Sequence, residues 1–157
     1  MARAQGENRL HRNFQGYTND AADALIGLGA SAISSLPQGY VQNAPDSGGY
    51  MRAIATGHLA SVKGISLSRD DRMRARIIEK LMCDFAVDLD EFACSTQVGL
   101  RFADELSALA ELAAEGLVER EGHVIRITER GRPFVRLAAA TFDAYLTRQG
   151  AKHSRAV

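Results

Sequence analysis

The chain has 157 residues, 46% of them hydrophobic and 24% charged, and its nineteen basic side chains balance nineteen acidic ones. That is one ordinary domain, or a small domain with part of another; the composition excludes wholesale disorder and a fibrous architecture, and zero net charge excludes a global field that would draw in nucleic acid or anionic lipid. No run approaches the roughly 18 apolar residues that span a bilayer, and residues 1–12 lack the apolar stretch of a secretory signal, so a cytoplasmic protein without a membrane partner is expected.

Near the start, Arg9, His11 and Arg12 lie close together. Such a trio could receive a carboxylate-rich ligand, and could equally be an ordinary surface cluster. The run Leu25-Ile26-Gly27-Leu28 is short, aliphatic and bounded by Asp23 and Gly29, the pattern of a strand covered on both faces. Gly27-x-Gly29 invites a phosphate-cradling reading, but the third glycine of a dinucleotide fingerprint would fall at Ala32 and no helix begins at Ser31. Glycines permitting a tight strand exit account for the spacing equally well.

Residues 39–43 read as another strand, ended by the turn Asn43-Ala44-Pro45-Asp46. A short helix follows over 46–56, in which Gly48 and Gly49 each cost about 1 kcal/mol relative to alanine. This front segment, residues 1–67, holds most of the fourteen glycines and two of the three prolines. Its few apolar residues are a poor match for about 1–2 kcal/mol of backbone entropy per ordered residue. It is therefore expected to complete a larger sheet, and alone to leave strand edges and apolar surface uncovered.

Residues 68–148 read as a self-contained, mainly helical domain. Ser68 with Asp71 makes a capping-box pattern, and Met73, Ile77, Leu81 and Phe85 recur on one face of a helix near 69–83. A shorter helix is expected over 88–93, and a third, marked by Phe102, Leu106, Leu109 and Ala113, stops at Gly116. Then the period becomes that of strands: Leu117-Val118-Glu119-Arg120 and Val124-Ile125-Arg126-Ile127 flank Glu121-Gly122-His123, a hairpin turned at Gly122. Thr128 caps a last helix, with Pro133 in its first turn and Phe134, Ala138, Thr141 and Tyr145 on one side. Residues 149–157 read as a disordered tail.

The order of three helices, a hairpin and a closing helix is winged-helix-like, which raises a DNA-binding alternative. Charge argues against it: between Arg101 and Glu115 that one arginine faces Asp104, Glu105, Glu111 and Glu115, so the helix would meet phosphates carrying net negative charge. Cys83 and Cys94 lack the spacing of a zinc site or a disulfide framework and read as buried free thiols. The histidines, His11, His58, His123 and His153, are scattered over loops and turns and form no catalytic arrangement. No catalytic residue and no metal ligand is assigned.

The blocks Arg9-Leu10-His11-Arg12-Asn13-Phe14-Gln15-Gly16-Tyr17-Thr18, Asp23 through Ser34, and Tyr40-Val41-Gln42-Asn43 resemble the family of oxygen-independent coproporphyrinogen III oxidases. The likeness continues through Leu81-Met82-Cys83-Asp84-Phe85, Gly116-Leu117-Val118, Ile127-Thr128, Gly131-Arg132 and Phe142-Asp143-Ala144-Tyr145-Leu146, in matching order over residues 9–148. Phe14-Gln15-Gly16-Tyr17 and the absence of tryptophan fit this branch better than the haem chaperones that share its scaffold. The resemblance implies a radical S-adenosylmethionine barrel whose [4Fe-4S] cluster is held by a Cys-x-x-x-Cys-x-x-Cys motif. Cleavage of S-adenosylmethionine there gives a radical that removes hydrogen from propionate side chains of coproporphyrinogen III, and loss of carbon dioxide and an electron from each then leaves a vinyl group. Residues matching Phe14, Gln15 and Ile33 line the S-adenosylmethionine region.

The three-cysteine motif is missing from this chain. The expectation is therefore an α+β fold made of the closing strands of a partial (β/α) radical S-adenosylmethionine barrel (1–67) and a winged-helix-like domain (68–148). Such a chain would be the C-terminal part of an enzyme of haem and porphyrin biosynthesis, cut off by removal or truncation of an upstream part and inactive alone. Its partners would be the upstream barrel and coproporphyrinogen III, with no nucleic acid, and the full-length protein would be a monomer. The alternatives are a non-catalytic interaction module and a haem-chaperone relative.

Overall fold

The computed structural model describes residues 2–93 and 95–146. In chain order the elements are α1 (Ala2–Gly6), β1 (His11–Asn13), β2 (Gly16–Thr18), β3 (Ile33–Leu36), β4 (Gly39–Asn43), α2 (Ser47–Ala55), β5 (Ser61–Ser66) and α3 (Arg69–Asp84). Then come β6 (Ala86–Asp88), a 3-10 turn (Leu89–Glu91), α4 (Ser95–Arg101), α5 (Ala103–Ala114), β7 (Val118–Glu121), β8 (Val124–Ile127), a second 3-10 turn (Arg132–Phe134) and α6 (Val135–Ala140). The fold is mixed α and β, and among the described residues its sheets have two, three and three strands. None closes into a barrel. The tail expected over 149–157, Cys94 and His153 lie outside the described residues.

Two compact units emerge: the described residues up to Asn19 together with those from Asp70 onward, and Asp20–Arg69. The first has a true core. Ile77 and Leu81, one turn apart on α3, are fully buried with Val98, Phe102, Ile125 and Phe142, as the 3.6-residue period requires of a core-facing stripe. The rings of Phe102 and Phe142 meet edge to face with centroids 5.9 Å apart, the arrangement that sets positive ring edge against negative ring face. Phe85 follows α3 in the left-handed region, at φ 57°. It turns the chain out of the helix and into β6, while its carbonyl accepts from Ile127 N–H at 2.8 Å. Arg132 lies 4.8 Å from its ring centroid.

β8 is the middle strand of the order β6-β8-β7, and Gly122 makes the β7–β8 turn at φ 59°. The expected helix over 88–93 is only the 3-10 turn Leu89–Glu91, because Ala86–Asp88 is drawn into pairing with β8. The expected last helix is likewise a 3-10 turn over Pro133 followed by α6. Thr128 performs the local capping read from the sequence, its Oγ1 accepting from Gly131 N–H at 3.0 Å.

The second unit is the antiparallel sheet β3-β4-β5 with α2. Its buried residues are Gly39, Ala44 and Ala60, and none carries a large side chain; every residue of β5 is exposed. Leu25 makes one antiparallel bridge to Ser35, but the rest of its aliphatic run is not a covered strand: Ile26 and Leu28 are 65% and 84% exposed. α2 begins as its sequence suggests, with the Asp46 carboxylate accepting from Gly49 N–H at 2.5 Å.

Candidate functional site

Phe14 and Gln15 form the turn between β1 and β2, registered by the pairs Arg12–Tyr17 and Asn13–Gly16. Gln15 N–H donates to Asn13 Oδ1 at 2.9 Å, and Gly16 follows at φ 137°, a value L side chains rarely adopt. The Phe14 ring is half exposed and the Gln15 side chain exposed. Beneath the turn the hairpin is tied to α3: Tyr17 Oη donates to the Met82 carbonyl at 3.3 Å, and Arg12 N–H donates to Glu79 Oε1 at 3.3 Å. Arg12 lies 5.4 Å from the Tyr17 ring centroid.

The cationic trio of the sequence has internal partners. Arg9 pairs with Glu7, and His11 Nδ1 stands 3.3 Å from Glu79 Oε1. Arg9 and Arg3 together hold the exposed Glu7 carboxyl below its ordinary value. His58 contacts Thr56 Oγ1 at 3.1 Å, and His123 contacts Asp90 at 2.9 Å.

Ile33 belongs to the other unit. It opens β3, paired with Gln42 of β4, and is half-buried. The segment leading to it, residues 27–31, has no regular secondary structure, yet its backbone groups are occupied by side chains. Asn43 Nδ2 donates to the carbonyls of Gly27 and Gly29 at 3.1 and 3.0 Å, and Gly29 N–H donates to Tyr50 Oη at 3.1 Å. Gly27 N–H donates to Ser34 Oγ at 3.0 Å, Gln42 Nε2 to the Ser31 carbonyl at 3.2 Å, and Ser31 N–H to the Ala44 carbonyl at 2.8 Å. The turn requires Gly29 at φ 103° and Ser31 at φ 60°. Gly27 is required by space, since a Cβ there would lie 2.8 Å from the Ile33 carbonyl oxygen. The two glycines thus serve a tight exit rather than a phosphate cradle.

A polar groove of about 570 Å³ runs beside α3 in the first unit, lined by His11, Glu79, Lys80, Cys83, Asp84 and Arg126 among others. Burial pushes the Cys83 thiol up to about 11, helped by the negative charges of Glu79 and Asp84. Burial also raises the Asp84 carboxyl above its ordinary value, against the pull of Lys80. Asp84 Oδ1 is enclosed without a hydrogen-bond partner. Among the described residues no three His, Cys, Asp or Glu are grouped to hold a metal ion. The described residues therefore do not fit an iron–sulfur cluster.

Sequence reasoning singled out Phe14, Gln15 and Ile33 but not the side chains that hold the 27–31 turn. Asn43 stands where the register shifts between Gln42 and Asn43, and a bulge of this kind re-aims a side chain without leaving a mark in hydrophobic periodicity.

Residues 67–134 match the family described as HemN C-terminal domain. Over 145 residues the chain is 43% identical to the oxygen-independent coproporphyrinogen III oxidase of Cereibacter sphaeroides, covering 92% of this chain and 32% of that one. It is 44% identical over 161 residues to the protein of the same name from Bradyrhizobium diazoefficiens, covering all of this chain and 35% of the relative. A solved structure, described as coproporphyrinogen III oxidase (HemN) from Escherichia coli, a radical SAM enzyme, matches with TM-score 0.84 and 38% identity over 92% of this chain and 34% of its own. Nine tenths or more of the chain is thus similar to oxygen-independent coproporphyrinogen III oxidases, and it spans about a third of the length of the relatives it matches. No helix among the described residues is long and apolar enough to cross a membrane.

Proposed function

We propose that this chain serves as the C-terminal part of an oxygen-independent coproporphyrinogen III oxidase, completing a cofactor and substrate cavity whose remaining walls and cluster ligands come from the other two thirds of such a protein. The reading is carried by likeness over nine tenths or more of the chain to one contiguous third of enzymes of that name. In it, β3, β4 and β5 are closing strands of the barrel, and the helical unit is a winged-helix-like domain. The exposure of β5, and of Met51 and Ile54 on α2 at 64% and 50%, supports an unfinished wall.

S-adenosylmethionine with a [4Fe-4S] cluster would supply the oxidising chemistry for decarboxylating coproporphyrinogen III, and protein positions them. Phe14 and Ile33 would pack on the nucleoside or methionyl parts of S-adenosylmethionine, and the Gln15 amide would offer a donor and an acceptor. Each would help exclude water from the cofactor it touches. No nucleic acid partner is proposed: Asp104, Glu111 and Glu115 on and just after α5 are exposed, and would repel phosphate.

The test is a fusion of the first two thirds of the Bradyrhizobium relative to this chain, purified and reconstituted anaerobically. It should take up iron and sulfide, bind S-adenosylmethionine and convert coproporphyrinogen III, and the amides of β5 should exchange more slowly than in the 157-residue chain alone. I33A and Q15A in the fusion should each lower turnover. A fusion that takes up cluster but binds no S-adenosylmethionine removes the function, and unimpaired turnover in both variants removes the site assignment.

A further inference from the structure

A loop whose only task is to connect two strands leaves its backbone to water and its conformation to chance. Residues 27–31 are built in the opposite way. Five side-chain hydrogen bonds, from Ser34, Gln42, Asn43 (two) and Tyr50, fall on this short stretch of backbone, while the neighbouring apolar side chains Ile26 and Leu28 remain exposed. A backbone fixed in advance beneath uncovered apolar side chains is the construction of a contact element, since rigidity set before binding removes an ordering cost at the moment of binding.

Asn43 is the centre of this clamp. Its one amide group joins two carbonyls two residues apart, while its own backbone N–H donates to the Ala32 carbonyl at 3.0 Å. Tyr50 closes the other side and is itself fixed by α2, whose first turn the Asp46 carboxylate holds. Ser31 and Ala32 lead directly into Ile33, so displacement of the loop carries the start of β3 with it.

We propose that Asn43, with Tyr50, is a positioning residue: it locks the 27–31 loop and thereby presents Ile33 and the loop's apolar edge to the nucleoside portion of S-adenosylmethionine. The proposal deepens the reading given under Proposed function and rests on it for the identity of the ligand. Neither side chain needs to touch that ligand. The role depends on the donor group of Asn43 rather than its volume, because both of its partners are carbonyl oxygens. An aspartate of the same size would set a carboxylate against them.

The test has two arms. In the 157-residue chain, Asn43→Ala and Asn43→Asp should each speed amide exchange at Gly29 and Ser31 at least tenfold, with no change at Ile77 or Leu81 on α3. In the fusion, Asn43→Asp and Tyr50→Phe should weaken S-adenosylmethionine binding about tenfold and about threefold, as expected for loss of two bonds and of one. Coproporphyrinogen III affinity and cluster content should hold. Unchanged exchange at Gly29 and Ser31, or unchanged S-adenosylmethionine affinity in a fusion that binds it, overturns the clamp. Loss of binding in the unsubstituted fusion overturns the functional reading, and the ligand half of this proposal with it, while the exchange arm still decides whether Asn43 holds the loop.

Discussion

Arg74 offers the sharpest test of how the helical unit is held. From α3 its Nη1 donates to Glu105 Oε1 on α5 at 2.5 Å and to the Phe142 carbonyl at 3.3 Å, and its Nε donates to Asp70 at 2.7 Å. Arg101 joins the same aspartate at 2.8 Å. Side-chain exposure is 17% for Arg74 and 11% for Glu105, against 44% for Asp70. The Glu105 contact should therefore dominate, and the Asp70 contact is largely screened. Replacing Arg74 with methionine keeps the packed stem but leaves Glu105 enclosed without its cation, at a cost of about 2–3 kcal/mol. In urea that moves the unfolding midpoint down by roughly 1 M or more.

R74M combined with E105Q removes the stranded charge and should recover about half of the loss, a coupling of at least ~1 kcal/mol. The pH dependence has a definite sign. Hydrogen bonding from Arg74, against burial and with help from Arg101, holds the Asp70 carboxyl below its ordinary 3.8, so its contribution is present above that value and is lost as pH falls through the folded one. Urea titrations of the four proteins of the cycle at pH 7, followed by far-ultraviolet circular dichroism, give the answer. Strictly additive losses, or an R74M midpoint equal to that of the parent, would refute the argument.

Gly131→Ala should destabilise by about 2 kcal/mol or more, because its Cβ would stand 1.9 Å from the Leu117 carbonyl oxygen, and backbone cannot yield as a side chain does. Gly99→Ala, with open space around the new methyl within α4, should instead stabilise by up to about 1 kcal/mol; the pair is read by thermal denaturation. The thiol of Cys83, pushed up to about 11 and buried, should react with a disulfide reagent at pH 8 far more slowly in the folded chain than in 8 M urea; equal rates would contradict its burial. Asp84→Asn should stabilise by about 1 kcal/mol at neutral pH. The folded Asp84 carboxyl lies above its unfolded value of 3.8, so ionisation opposes folding as pH rises through the folded value, and the gain should vanish in acid.

Where the sequence alone was enough, local signals and tertiary environment agreed. Residues 39–43 form β4 with the bounds read from alternation and turn residues, and Ile77 and Leu81 lie on the buried face that their spacing required. Gly122 turns the β7–β8 hairpin at the positive φ that glycine favours. Ala86-Val87-Asp88 escaped notice because three residues carry no period of their own; pairing with β8, distant in sequence, makes them a strand. α4 escaped for a related reason: Gly99 and Thr96 lower its helix propensity, and a buried Val98 fixes it from outside. The aliphatic run at Leu25 misled in the other direction, since hydrophobicity signals that something will cover a segment and not what will do so. Phe14, Gln15 and Ile33 rest on resemblance alone; exposed or half-buried residues on a turn and a strand end carry no pattern that composition or periodicity can flag.

The two units differ in what holds them, and that difference bears on function more than any single side chain. Around α3, large apolar side chains reach zero exposure, and at about 25 cal/mol per Å² of buried apolar area they are the main source of that unit's stability. In Asp20–Arg69 only glycine and alanine are buried, so shape is maintained by strand ladders and by the side-chain hydrogen bonds gathered on residues 27–31. Hydrogen bonds contribute only about 1 kcal/mol each after exchange with water, and so fix geometry better than they supply stability. A segment organised in this way has its conformation specified before its apolar surface is covered. Under the function proposed above, such a segment would meet a cofactor in one defined orientation without an ordering cost at the moment of binding.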